Sequence, residues 1–251
     1  YRAFIASKAR HIEFAGFEPR DLNPHMKVHQ VEAVSFALRR GSAALFLDTG
    51  LGKSLSELEW ARQVSEHTGK PVLILTPLAV AAQMVREGVK FGIDARQVRE
   101  SHEVGPGINV ANYERLPKLD ASVFGGVVLD ESSILKSFAG RTRNLLMDAF
   151  RDCRFKLAAT ATPSPNDHME LGNHAEFLGV MRQQEMLSKW FINDTATASQ
   201  QWRLKGHAVD DFWSWVASWS RCATLPSDLG GDDTGYVLPD IDRRIHTVEA
   251  D

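Results

Sequence analysis

Cysteine, excess basic charge and long apolar runs are all scarce in this chain, and each scarcity excludes a class of protein. Only two cysteines occur in 251 residues, Cys153 and Cys222. They are too few for a disulfide framework and lack metal-ligand spacing, so we expect a reducing, cytoplasmic setting. A net charge of -3 argues against a generally basic coat for nucleic acid, although a local basic groove stays compatible with it. No apolar run approaches the roughly 20 residues that cross a bilayer, so we expect no membrane partner.

What is present is the composition of an ordinary globular protein, with 43% hydrophobic and 24% charged residues. The length predicts one large domain, or one domain with an appended piece. Because the sequence opens at Tyr1 rather than Met, we expect a piece of a longer protein.

The most informative segment is residues 45–54, Leu-Phe-Leu-Asp-Thr-Gly-Leu-Gly-Lys-Ser. An apolar run ends in two glycines, a lysine and a hydroxyl, and helix-forming sequence follows. Such a strand, loop and helix start predict a phosphate cradle, in which backbone N–H groups and the helix dipole face the anion. Lys53 adds a point charge and Ser54 can ligate Mg²⁺. The first glycine of the pattern G-x-x-x-x-G-K-[ST] would fall on Leu47, so the loop is a variant type.

Apolar runs and helical segments alternate after this loop. Strands are predicted at 71–77, 108–113, 126–130 and 155–159, with helices at 79–91 and 143–150. Alternation of this kind predicts an α/β fold with a parallel sheet, whose ligands bind at the carboxyl ends of the strands. The loop at 48–54, Thr76-Pro77, Asp130-Glu131 and Thr160–Pro163 would then share one edge.

Three clusters at or near that edge have chemistry that suits a nucleotide. Asp130 would hold Mg²⁺ through water, while Glu131 would orient or deprotonate the water that attacks the γ-phosphate. A solvated turn is the alternative for this acid pair. Gln30 could pair with an adenine edge or be a surface helix residue. Thr160 and Thr162 could relay the γ-phosphate state, or simply be satisfied turn hydroxyls.

The order of these motifs resembles the N-terminal RecA-like ATP-binding lobe of superfamily 2 helicases and translocases. Within that superfamily the Swi/Snf-like branch, and its phage- or prophage-encoded members, are most similar. The matching segments cover roughly residues 22–180. They are Gln30 (Q motif), Asp48–Ser54 (motif I), Leu75–Leu78 with Gln83 (motif Ia), Asn112–Leu116 (motif Ib), Asp130–Ser133 (motif II) and Thr160–Pro163 (motif III).

The resemblance implies a RecA-like three-layer sandwich at 1–180. Helix-forming sequence after it predicts a helical extension packed on that lobe at 181–224, and turn-rich sequence predicts a linker at 225–251 toward a second lobe. The resemblance also implies ATP and Mg²⁺ as cofactors, with Lys53 and Glu131 catalytic and Ser54 and Asp130 on the metal. The implied ATP-binding residues are Gln30, Thr49, Gly50, Leu51, Gly52, Lys53, Ser54 and Leu55.

Two further sets of residues follow from the same resemblance. Ser133, Thr160 and Thr162 would couple motif II to motif III, with a serine hydroxyl at the fourth position of motif II. The backbone of DNA, double-stranded by analogy with the branch, would be contacted by Thr76, Gln83, Asn112 and Tyr113. A buried Tyr113 and a solvated Gln83 are the alternative, and the motifs are compatible with RNA as well as DNA.

Residues 212–219 place apolar side chains at 212, 215, 216 and 219, which is one helix stripe, and Trp213 falls off it. A packing face is the favoured interpretation, and a base-stacking platform is the alternative. His168 and His174 are six apart and suit no helical metal pair.

The sequence therefore predicts the N-terminal motor lobe of an ATP-dependent DNA helicase or translocase in a bacterial or phage-infected cell. Two alternatives stay open: a P-loop ATPase acting on another kind of partner, and a non-catalytic nucleotide-gated interaction module. No second strand–helix series follows residue 180, and Arg243-Arg244 lack a preceding strand and helix. Because a second lobe normally supplies the arginine finger, we expect weak or no hydrolysis by this chain alone.

Overall fold

The structure is a computed structural model that describes residues 16–136, 140–164, 167–194 and 201–237. Helices and strands alternate through most of it. The α-helices are α1 (Val28–Arg40), α2 (Lys53–Thr68), α3 (Ala81–Lys90), α4 (Arg141–Ala149), α5 (Leu171–Phe177), α6 (Gln183–Trp190) and α7 (Val209–Trp219). The strands are β1 (Ser42–Leu47), β2 (Val72–Thr76), β3 (Ala95–Gln97), β4 (Ile108–Asn112), β5 (Gly126–Asp130), β6 (Phe155–Ala159), β7 (Phe191–Asp194), β8 (Gln201–Leu204) and β9 (Ser220–Ala223).

Seven strands form one sheet in the order β3-β4-β2-β5-β6-β1-β9, and each pair of neighbours is parallel. Their carboxyl ends therefore lie at one edge. β6 separates β1 from β5, so the loop after β6 stands between the loop after β1 and the turn after β5. This order brings three of the predicted motifs side by side.

Helices cover both faces of the sheet, because successive strand residues point to opposite sides. In β1, Ala43, Leu45 and Leu47 pack with α1, α2 and α3. Ala44 and Phe46 face the opposite way, into a core shared with α4, α5, α6 and α7. The predicted α/β three-layer sandwich with a parallel sheet is confirmed. Strands buried on both faces need apolar residues throughout, which is why they stand out in the sequence as short continuous runs.

The region after residue 180 differs from the prediction of a helical extension. Phe191–Asp194 and Gln201–Leu204 pair as an antiparallel hairpin. Ser220–Ala223 pairs with β1 as the seventh strand of the main sheet, so residues within 181–224 complete the lobe. Aromatic side chains fit a strand as well as a helix, and the spacing of the aromatics alone could not distinguish the two. The exact domain boundaries stay a prediction.

No helix in the described residues is long and apolar enough to span a membrane. Arg243 and Arg244, together with the rest of the predicted linker beyond residue 237, lie outside the described residues.

Candidate nucleotide site at the carboxyl edge of the sheet

The loop between β1 and α2 adopts a backbone that depends on its two glycines. Gly50 and Gly52 have φ values of +89° and +76°, and Gly52 caps the first turn of α2. Only glycine adopts this region without steric cost. A Cβ on Gly52 would also collide with the side-chain amide of Gln30. The loop thus leaves the first N–H groups of α2 open at the sheet edge, which is the arrangement that favours an anion.

The lysine of this loop is held by the loop itself. Lys53 Nζ donates to the carbonyl of Leu47 at 2.8 Å and to that of Asp48 at 3.3 Å. Asp48 Oδ1 accepts from the backbone N–H of Thr49 at 2.6 Å. Thr49 is exposed and Ser54 is half-buried, whereas Leu51 and Leu55 are buried and anchor the loop in the core.

Gln30 is a buried support of the loop rather than a free surface residue. Its Nε2 donates to the carbonyl of Gly52 at 3.0 Å, and its Oε1 accepts from the backbone N–H of Lys27 at 2.8 Å. The neighbouring His29 lies with Nε2 3.2 Å from the carbonyl of Leu51. The surface alternative for Gln30 is therefore wrong, since the side chain is only 5% exposed. Contact with adenine stays a prediction.

Asp130 ends β5, and Glu131 follows it in a strained turn. Glu131 has φ +56°, in the left-handed region that costs a non-glycine residue roughly 1–2 kcal/mol. The Tyr113 hydroxyl donates a hydrogen bond to the carbonyl of Asp130 at 2.7 Å and so anchors the turn. Burial, and then the charge of Glu131, raises the pKa of Asp130 to about 6, while Lys53 lowers it. Such an environment favours a cation close to Asp130.

Two hydroxyls converge on one oxygen of Glu131. Thr160 Oγ1 donates to Glu131 Oε1 at 2.7 Å, and Ser133 Oγ donates to the same oxygen at 3.0 Å. Thr160 Oγ1 in turn accepts from the backbone N–H of Thr162 at 3.0 Å. The connection between motif II and motif III runs through the carboxylate of Glu131, with Ser133 supporting it from one side. The family resemblance implies, instead, that the serine hydroxyl makes this connection itself.

A second connection leaves motif II through Ser132, which the sequence did not single out. Ser132 Oγ lies 3.1 Å from His174 Nε2 on α5, and both side chains are buried. Burial lowers the pKa of His174 to about 4, so the imidazole is neutral at pH 7. Beside it, Arg143 bonds Asn173 at 3.0 Å and Glu176 at 2.7 Å, which ties α4 to α5. No group of three potential metal ligands was found among the described residues.

Glu57 is the other site residue that sequence reasoning missed. It lies one turn into α2, is fully buried, and neither of its carboxylate oxygens has a hydrogen-bond partner within the described part of the chain. Burial, followed by the charge of Asp130, raises its pKa well above the ordinary range. The sequence pattern that could indicate this residue is an acid four positions after Lys53, on the helix face that contacts the sheet.

The four predicted nucleic-acid contacts differ in accessibility. Gln83 is exposed on α3. Thr76 and Asn112 are paired at the ends of neighbouring strands, and both are buried. Tyr113 is 5% exposed and holds the acid turn, so the structure favours the core interpretation of this residue.

These residues fit a Mg²⁺-nucleotide. The open helix start offers N–H donors, Lys53 a cation, and Ser54 and Asp130 the oxygen ligands that Mg²⁺ prefers. The unpartnered oxygens of Glu57 on the same side add acceptors that nothing in the described residues satisfies.

A parallel sheet of this order, with a phosphate loop, an acid pair and a threonine loop at one edge, defines a class of fold: the RecA-like α/β lobe. Known structures of that class are similar to this chain. The SWI2/SNF2 ATPase core of Sulfolobus solfataricus in complex with double-stranded DNA matches with a TM-score of 0.68 and 18% identity, over 83% of this chain and 46% of that chain.

A second structure, the SWI2/SNF2 ATPase core domain of Sulfolobus solfataricus, gives a TM-score of 0.62 at 19% identity, over 87% of this chain and 46% of that one. The UvsW helicase from bacteriophage T4 gives a TM-score of 0.52 at 19% identity, over 72% of this chain and 66% of that one. The chain thus spans about half the length of the Sulfolobus structures. No protein-family model and no curated protein sequence matches it.

Proposed function

We propose that this chain is the N-terminal motor lobe of an ATP-dependent DNA helicase or translocase. The observation that supports this proposal most strongly is that two hydroxyl groups bond the carboxylate of Glu131. Its carboxylate lies at the end of β5 and is held by Thr160 from the neighbouring β6 loop and by Ser133. An acid held in this way, next to a phosphate loop, suits a residue that must both position a water molecule and report on its state.

The roles of the side chains follow from their chemistry. Lys53 would exchange the Leu47 and Asp48 carbonyls for nucleotide phosphates, because both kinds of oxygen accept from an ammonium group. Ser54 and Asp130 would hold Mg²⁺, which neutralises phosphate charge when bound. Glu131 would orient the attacking water and accept its proton. Gln30 would keep the loop in shape and present the amide to which adenine is expected to bind.

Binding to DNA is the finer part of the proposal. One similar structure, the Sulfolobus core, is a complex with double-stranded DNA. In this chain the ends of β2 and β4 and the exposed Gln83 would contact backbone phosphates. We propose that movement along DNA requires a second RecA-like lobe, and that the protein acts in the cytoplasm of a bacterial or phage-infected cell.

The salt dependence of DNA binding tests this part. Affinity for duplex DNA should fall steeply and linearly with salt on logarithmic axes, with a slope set by the number of phosphates contacted. Gln83→Ala, which removes an uncharged contact, should weaken binding severalfold without changing that slope. A chain that binds Mg²⁺-ATP but shows no salt-dependent binding to DNA would instead be an ATPase with another kind of partner.

Glu131→Gln separates an enzyme from an interaction module. In the protein that contains this lobe, the amide keeps the size of the carboxylate but cannot accept the water proton. ATP should then bind and stay unhydrolysed. Turnover at the wild-type rate would contradict the assigned role of Glu131.

A further inference from the structure

Among the described residues, Glu57 is a buried acid near the site with no hydrogen-bond partner on either carboxylate oxygen. Its side chain is fully buried, and within the described residues both carboxylate oxygens lack a hydrogen bond. Leaving a buried polar group unsatisfied costs roughly 1–3 kcal/mol, and more for a charged one. A residue of this kind calls for an explanation beyond packing.

Glu59, two residues further along the same helix, provides the contrast. Its side chain is also fully buried, but Arg62 bonds it at 2.7 Å and Gln63 at 3.0 Å. The helix therefore carries one buried acid whose partners are built into the protein and one whose partners are missing. No group within the described residues supplies the partner that Glu57 lacks.

The direction of the Glu57 side chain points to the nucleotide site. Residue 57 lies three positions after Ser54 and four after Lys53, so the three share one helix face. Helix side chains lean toward the N-terminus, which carries the Glu57 carboxyl back toward the first turn. The charged groups that act on it are Asp130, Lys53 and Glu131. Tyr113, which holds the Asp130 turn, is also influenced by Glu57.

The chemistry of a hydrated cation supplies what Glu57 lacks. Mg²⁺ dehydrates reluctantly and usually keeps several water ligands, each of which donates hydrogen bonds. Acids that accept such bonds orient the ligands of a metal and tune its affinity. Building on the proposed function, we propose that Glu57 is a positioning residue of the metal site, whose carboxylate accepts hydrogen bonds from water bound to the divalent cation that accompanies the nucleotide.

The test is the effect of the cation on nucleotide affinity. The dissociation constant of a fluorescent ATP analogue is measured with the 251-residue chain, once in excess Mg²⁺ and once in EDTA. The ratio of the dissociation constant in EDTA to that in Mg²⁺ measures the effect of the cation. In Glu57→Gln this ratio should be roughly tenfold smaller than in wild-type protein, which is the size of effect found when a residue that supports a metal ligand is lost. Mn²⁺ binding followed by electron paramagnetic resonance should weaken in parallel. General damage to packing would instead raise both dissociation constants alike.

Two further variants keep the result interpretable. Glu59→Gln makes the same chemical change at a buried position outside the site, and should leave the ratio of the two constants at the wild-type value. Glu57→Met fills the space without a buried charge, so it folds even if the amide variant does not, and should lose the effect of Mg²⁺ to the same extent.

The outcomes separate this inference from the proposed function. Wild-type chain that shows no Mg²⁺-dependent nucleotide binding would overturn both. Wild-type chain that shows it, together with Glu57→Gln or Glu57→Met chain whose ratio stays within twofold of the wild-type value, would overturn the role of Glu57 alone and leave it a buried core acid.

Discussion

At the scale of single residues, several ionisable groups behind the sheet edge are held in surroundings that disfavour their charged forms. Burial raises the pKa values of Asp130 and Glu57 and lowers that of His174. Such groups lower the stability of the ligand-free protein wherever they must be charged, and they gather at sites that bind ions. The direction of each pKa shift predicts whether stability rises or falls with pH, and unfolding experiments can test that prediction.

His174 should make the protein less stable in acid. Below pH 6.5 the imidazole takes up a proton in the unfolded chain, but in the folded chain it does so only near pH 4. The unfolded state is therefore favoured as the pH falls through this window, by about 3 kcal/mol at about 1.4 kcal/mol per pKa unit. Urea unfolding at a series of pH values checks this. His174→Leu should remove that component, and an unchanged profile in the variant would rule out this source.

Glu57→Met should raise the melting temperature of the ligand-free protein at pH 8. Replacing an unpaired buried acid by an apolar side chain removes its desolvation cost, and each kcal/mol gained is worth about 2–4 °C in a domain of this size. Because the raised pKa keeps the acid protonated at low pH, the gain should shrink toward pH 4. Glu59→Met should have the opposite sign at pH 8, since it removes the buried acceptor that Arg62 and Gln63 share. Equal effects of the two changes would contradict this account.

At the scale of elements, residues of one type within the same element have different roles. The two glycines of the loop before α2 and the tryptophans of α7 are examples. The loop has two glycines with positive φ, but among the described residues an added Cβ would collide with a side chain at Gly52 and not at Gly50. In α7, Phe212, Val216 and Trp219 are buried, whereas Trp213 is 39% exposed and meets the ring of His168 edge-on at 5.1 Å. The predicted packing stripe of this helix is confirmed.

Gly52→Ala should damage nucleotide binding much more than Gly50→Ala does. Both changes incur the cost of a left-handed alanine, roughly 1–2 kcal/mol. The methyl group at 52 must in addition displace Gln30, whereas at Gly50 nothing lies within 4 Å of the added carbon. We expect affinity for an ATP analogue to fall at least tenfold for Gly52→Ala. Comparable losses in the two variants would show that backbone conformation alone matters.

Trp219→Ala and Trp213→Ala separate packing from stacking in α7. Trp219 is fully buried, so its loss should cost about 3–5 kcal/mol in urea unfolding. Trp213→Ala should cost less than about 1 kcal/mol. If Trp213→Ala instead weakens binding to single-stranded DNA more than tenfold, the platform interpretation would be restored.

At the scale of the whole molecule, the sequence predicts the fold and the motifs that lie at the carboxyl edge of the sheet. It does not predict the buried side chains that hold those motifs in place. Strands such as Val72–Thr76 and Phe155–Ala159 are short apolar runs, so their positions were predicted closely. β3, with the residues Ala-Arg-Gln, is short, polar and at the sheet margin, and it gave no such signal. The bond from Ser132 to His174 joins residues 42 apart and depends on packing that no local pattern encodes.

The sheet gathers the residues of the proposed motor site at one edge, and the chain spans about half the length of the similar Sulfolobus chains. In the proposed function, the carboxyl edge of the sheet binds Mg²⁺-ATP through Lys53. Calorimetric titration of Mg²⁺-ATP into the 251-residue chain tests this most directly. We predict measurable binding by wild-type protein and by Lys70→Ala, an exposed lysine that follows α2, and binding weakened at least a hundredfold in Lys53→Ala. Equal affinity of the Lys53→Ala and Lys70→Ala variants, or no binding by the wild-type chain, would contradict it.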